Sequence, residues 1–156
     1  MGISAKLGIV TIVAAVAGTA LFSANTIQAA MSGAEAIKER KAAMKSLSAD
    51  LKVIRAYVKD GKGTPKDVEE KAAAMAAVGK QIPALFPKGT GRPDLSDKET
   101  RAVAKIWTDW PGFEAASTAL VTEAGKLAEI AKTGDKAMIA EQTGKLGKIG
   151  CGGCHK

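Results

Sequence analysis

The stretch SGAEAIKERKAAMKSLSADLKVIRAYVKDGKGTP, residues 32–65, decides the fold. Its apolar residues Ile37, Met44, Leu47, Leu51, Ile54 and Val58 recur at steps of three, four and seven, so they line one face of a helix. Arg40 takes the one position of that seam where an apolar side chain is expected. The helix is predicted from Ser32 to Lys59, and Asp60-Gly61-Lys62-Gly63 ends it. Thr64 then caps a second helix with Pro65 at its first position, where a missing N–H costs nothing.

The rest of the chain repeats this logic. The second helix is predicted to Gln81, stopped by Pro83 and Pro87. ALFPKGTGRPDLS, residues 84–96, is a long connection, and Ser96 with Glu99 has the capping-box spacing that predicts a short helix through about Trp107. A third long helix opens near Pro111 and runs to Thr133 before Gly134, and Asp135 caps a fourth that continues to the C-terminus. Alternation of the strand type is absent. Two short turns separated by one long crossover predict an all-α, antiparallel four-helix bundle.

Residues 1–30, MGISAKLGIVTIVAAVAGTALFSANTIQAA, have the layout of a secretory signal peptide: one charge at Lys6, an apolar run, then small residues before the cleavage site. The apolar run approaches the lower limit for a spanning helix, roughly 17 to 25 residues. Gly18, Thr19 and Ser23 interrupt it and favour cleavage over anchoring. The expectation is a single exported domain, residues 31–156, in the periplasm, with no stable membrane insertion. Outside the leader, 22 basic residues face 16 acidic ones. The lysines alternate with acids instead of forming blocks, so nucleic acid is not the expected partner and most of the charge reads as solvated helix faces; lysines around an exposed haem edge would suit an acidic redox protein, whose identity the sequence leaves open.

Both cysteines and the only histidine fall in the last six residues, CGGCHK, 151–156. Three chemistries compete for this cluster. C-x-x-C-H is the attachment signature of haem c: Cys151 and Cys154 bond the two vinyl groups and His155 ligates the iron. Zinc would find three ligands and no fourth. A thioredoxin-like pair belongs beside a strand at the start of a helix. Haem also accounts for Gly144, Gly147, Gly150, Gly152 and Gly153 in one helix, because each costs about 1 kcal/mol relative to alanine unless something other than side chains fills the space. Gly147 and Gly150 are expected to let the porphyrin approach the backbone.

With one histidine, a second axial ligand has to be another residue type, water or nothing. Met138 lies on the same helix as His155, roughly 25 Å away, Met31 is close to the start of the mature chain, and Met75 sits above the expected level. In an up-and-down bundle the end of the fourth helix lies beside the start of the first, which selects Met44. Arg40, one turn earlier on the same seam, needs an anionic partner if buried, and a haem propionate would supply one.

With these residues in place, the chain resembles the cytochrome c′ family, exported four-helix bundles with one covalently attached haem c near the C-terminus. The resemblance rests on IKERKAAMKSL, PALFPKGTG, KIW followed by Phe113, and CGGCH. It implies two branches, set by the residue four after the helix-one arginine. An apolar residue there implies five-coordinate, high-spin iron that binds nitric oxide or carbon monoxide, and a methionine implies low-spin, His/Met-ligated iron that carries electrons. With Met44 at that position, the expected function is a one-electron carrier rather than an enzyme, with the gas binder as the alternative. A haem-free bundle using its cysteines as a disulfide or metal clip is a further alternative. Monomer and homodimer are both compatible with the amphipathic faces. Family members commonly continue past the histidine, whereas here Lys156 alone follows, so the proximal side of His155 is expected to be exposed.

Overall fold

A computed structural model describes residues 31–155. The leader assigned to residues 1–30 and Lys156 lie outside the described residues. Helix α1 spans Gly33–Asp60, α2 Pro65–Gln81, α3 Lys105–Thr108, α4 Trp110–Ala131 and α5 Lys136–Lys145. Local chemistry fixes most of these boundaries. Ser32 and Glu35 form a capping box before α1, and Gly61 closes that helix in the left-handed conformation at φ 63°. Thr64 and Asp67 form a second capping box, with Pro65 at the first turn of α2. The Asp109 carboxylate accepts from the Gly112 N–H, and the Asp135 carboxylate from the Ala137 and Met138 N–H groups.

Helix α4 is the central element, packing against α2 on one side and against the end of the chain on the other. Its buried residues are mostly small, which lets backbones approach: the Ser117 hydroxyl donates to the Gly79 carbonyl at 2.8 Å, and a Cβ on Gly79 would press on Val121. Ile54, Val68, Met75, Leu127, Ile139 and Leu146 are fully enclosed. Burying each of these larger side chains contributes about 1.5–3 kcal/mol. Met75, weighed as an iron ligand, is thus core filling, while Met138 and Met31 are exposed. Among the described residues no helix is long and apolar enough to cross a membrane.

Two expectations fail locally. Ser96 and Glu99 make the expected contacts, with the Ser96 N–H and hydroxyl donating to the Glu99 carboxylate at 3.1 and 2.8 Å, yet only a turn forms and helix begins at Lys105. Tertiary contacts override the cap. Thr100 is buried, its hydroxyl accepts from Arg40 and from the Ala102 N–H, and the Arg92 N–H reaches the Ala102 carbonyl at 2.9 Å. The fourth helix also does not stay α-helical to the end of the chain. After Lys145 it widens into a π-helical segment, Leu146–Cys151, where the Gly152 N–H bonds the Gly147 carbonyl five residues back at 3.0 Å.

Candidate haem site

The π-helical segment delivers Cys151 to the surface of the bundle and folds the next four residues back over it. The Cys154 and His155 N–H groups both donate to the Cys151 carbonyl, at 3.3 and 3.1 Å. Cys151, Cys154 and His155 therefore follow one helical turn, at positions i, i+3 and i+4. Cys151 is half-buried, while Cys154 and His155 are exposed. Burial pushes the Cys151 thiol above its ordinary pKa, and the positive charge of Arg55 on α1 partly opposes that shift.

The glycines divide into three groups. A Cβ on Gly152 would run into the Lys148 carbonyl oxygen, and one on Gly153 would meet the Ile149 carbonyl oxygen at 2.8 Å. Both are needed to close the turn. Gly150 is buried against α4, where a Cβ would lie 3.3 Å from the Leu120 backbone. Its role is contact between helices, which corrects the expectation that it opens the backbone to a porphyrin. Gly147 has nothing within 4 Å of a Cβ position, so it does leave space.

The surroundings fit a flat apolar group. Helix α1 packs on α2 and α5 and leaves the terminal segment chiefly to α4. Met44, Leu47 and Leu51 point along the core seam of α1 yet stay only partly buried. Ile149, two residues before Cys151, is 46% exposed. Apolar side chains left partly uncovered on α1 and at Ile149, in a chain whose end carries two thiols and an imidazole on one turn, suit a covalently held porphyrin.

Arg40 is buried, and its partners among the described residues are oxygens of the crossover. Its Nε donates to the Leu85 carbonyl at 3.1 Å, and Nη1 to the Thr90 carbonyl at 3.1 Å and the Thr100 hydroxyl at 3.2 Å. Nη2 donates to the Thr90 hydroxyl at 2.6 Å. The guanidinium also lies 3.9 Å from the centre of the Phe86 ring. Four hydrogen bonds to neutral oxygens thus occupy four of the five guanidinium N–H groups. Burial lowers its pKa from the ordinary arginine value.

Through these bonds Arg40 fastens the crossover to α1. The Trp107 indole N–H donates to the Phe86 carbonyl at 2.9 Å, and Phe86 meets Phe113 edge-on at 4.8 Å. A Cβ on Gly91 would collide with the Trp107 ring. Thr90, Thr100 and Phe86 escaped the sequence reading, because separations of about fifty residues leave no periodic signal.

Comparison with known proteins agrees with the resemblance. Residues 35–156 match the family model described as Cytochrome C′. A cytochrome c′ of Rhodospirillum rubrum is 33% identical over 141 residues, covering 90% of this chain and 92% of that protein. The solved cytochrome c′ of Thermochromatium tepidum superposes with a TM-score of 0.72 at 25% identity, covering 81% of this chain and 95% of that one. A cytochrome c′ described as having an unusual ligand-controlled dimer dissociation superposes with a TM-score of 0.71 at 26% identity, covering 80% and 93%.

These relatives correct the expected function. They are cytochromes c′, which favours the five-coordinate, gas-binding alternative over the His/Met-ligated electron carrier. Part of the physical reason lies at Arg40. Met44 was selected by its level in an up-and-down bundle, and preferred over ordinary core packing partly because its neighbour was expected to need an anion. The crossover meets that need with neutral oxygens, and Met44 packs against the hydrophobic core with Leu47 and Leu51.

Proposed function

The chain belongs to the cytochrome c′ family, with one covalently attached haem c as its cofactor, and from that premise we propose that it is an exported gas-binding haem protein taking up nitric oxide or carbon monoxide. Cys151 and Cys154 hold the haem by thioether bonds, and His155 is the single protein ligand to iron. When bound, the haem supplies an iron atom with one open position for a diatomic molecule.

The chain's own residues shape that position. Met44, Leu47 and Leu51 line the α1 side with apolar surface and keep water out. Arg40 holds the crossover in place, and one of its five N–H groups, on Nη2, is left over for a haem propionate. Gly152 and Gly153 close the turn that sets His155 beside the two cysteines. Residues 1–30 direct export to an oxidising compartment, where two nearby thiols do not stay free, and thioether bonds to haem give them a fate.

The observation that carries this reading is the thiol, thiol and imidazole turn beside the uncovered seam of α1, within a chain that matches the family from residue 35 to 156. Absorption spectroscopy of the matured protein tests it. The expected result is a high-spin ferric spectrum and a ferrous form that binds carbon monoxide. A low-spin ferric spectrum that turns high-spin in Met44→Ala would overturn it.

A further inference from the structure

The cations of α1 are segregated. Lys38, Lys41, Lys45, Lys52, Arg55 and Lys59 are all exposed and recur at steps of three, four and seven. At about 100° per residue they fall within an arc of roughly 100° and form a stripe about 32 Å long. The exposed acids of the same helix, Glu35, Glu39 and Asp60, fall on its other flank, and Asp50 is buried and paired with Lys71 at 3.5 Å.

The stripe cations also stand outside the ion pairs of the fold, as do Lys80, Lys105 and Lys148 elsewhere among the described residues. Lys66, Lys126, Lys132 and Lys145 on the other helices each hold a carboxylate three or four residues away, at 2.7–3.1 Å. Among the described residues, none of the six stripe cations is in a salt bridge. Neighbouring stripe charges lie about 4.5–10 Å apart along the helix, within or near one Debye length, about 8 Å at physiological ionic strength. Lys38 and Lys41 also act on the Glu35 and Glu99 carboxyls, which they help to lower, and the fields of the six otherwise add outward. Lys45, Lys52 and Arg55 also line a groove with Ser48, Ala49 and Leu51, and the charge of Arg55 reaches Cys151.

We propose that this α1 stripe is the docking surface for an acidic protein, which it guides to the edge of the bundle where Cys151 lies. A protein fits better than an anionic bilayer. A flat, uniformly negative plane would meet the acidic flank of α1 as well as the basic one, whereas a narrow acidic ridge meets the stripe alone. The inference borrows from the proposed function only the identity of the site that the stripe borders.

The test uses the haem-loaded protein and a dye-labelled synthetic helical peptide with glutamates at the same steps of three, four and seven. Fluorescence anisotropy reads binding to the native protein, to the triple variant Lys38→Glu, Lys52→Glu, Lys59→Glu, and to a control, Lys66→Glu, Lys126→Glu, Lys132→Glu, with the same change in net charge. The stripe variant is expected to lose at least about tenfold in affinity and the control less than about threefold, with native binding weakening steeply as salt is added. Equal losses in both variants would overturn the proposal, since net charge would then suffice. So would tighter binding to phosphatidylglycerol vesicles than to the peptide, which points to a membrane, or a homodimer lost only in the stripe variant, which assigns the surface to a second copy. An unchanged helical circular dichroism spectrum shows that each variant is folded. Intact mass reports haem separately, so absence of haem would sink the functional reading without deciding this one.

Discussion

Arg40 on α1 and Thr90 in the crossover, fifty residues apart in the chain, are joined twice: Nη2 donates to the threonine hydroxyl at 2.6 Å and Nη1 to its carbonyl at 3.1 Å. The same hydroxyl donates onward to the Pro87 carbonyl at 2.7 Å. One buried guanidinium thereby fixes a long connection that has few helical hydrogen bonds of its own.

Removing either partner should loosen the crossover. Arg40→Leu strands the Leu85 and Thr90 carbonyls and is expected to cost about 2–4 kcal/mol, and Thr90→Val about 1–2 kcal/mol. Arg40→Lys keeps the charge but not the planar fork, and should restore less than half of the loss. Urea unfolding of the three variants measures this. Losses below about 0.5 kcal/mol for Arg40→Leu would show that the clamp does not stabilise the fold.

Met44 bounds the proposed gas site without ligating iron. In Met44→Ala the ferric spectrum should stay high-spin, while carbon monoxide association, followed by flash photolysis, should quicken by about tenfold as the wall recedes, roughly 1.4 kcal/mol off the barrier.

The glycines near the end of the chain should respond in opposite directions. Gly144→Ala meets open space and should stabilise the protein by about 0.5–1 kcal/mol. Gly152→Ala drives a methyl group at the Lys148 carbonyl and should disrupt the attachment turn. Intact mass of protein matured with haem is expected to show full loading for the first variant and reduced loading for the second.

Glu123 should contribute to acid stability. It is buried between α4 and α5, and hydrogen bonds from Lys126 at 2.9 Å and Gln142 at 2.7 Å hold its carboxyl below the ordinary glutamate value of 4.5. A carboxyl with a lowered folded pKa gives stability that is complete above the unfolded value and is lost as pH falls through the folded one. Glu123→Gln should therefore flatten the fall in thermal midpoint below pH 4.5 while leaving the curve at pH 7 to 8 parallel to that of the native protein. An unchanged acid limb would show that the carboxyl does not govern it.

The sequence by itself determined what depends on neighbours within a turn or two. Thr64-Pro65, Pro111 and Asp135 start helices because their side chains satisfy, or their rings remove, backbone groups within the first turn, and the apolar steps of α1 assign its face. The C-x-x-C-H run was legible for the same reason, since it occupies five consecutive residues, and the roles proposed for Cys151, Cys154 and His155 rest on it. Only the tertiary structure decided what Arg40 bonds, why Ser96-Glu99 makes a turn without a helix, and which glycines face α4 or open space. Those outcomes depend on hydrogen bonds and contacts between segments far apart in the chain, where Thr90, Thr100 and Leu120 leave no mark on local periodicity. The meaning of Met44 turned on one of them. With Arg40 held by neutral oxygens of the crossover, its charge no longer singles out Met44 from the other partly buried residues of the seam.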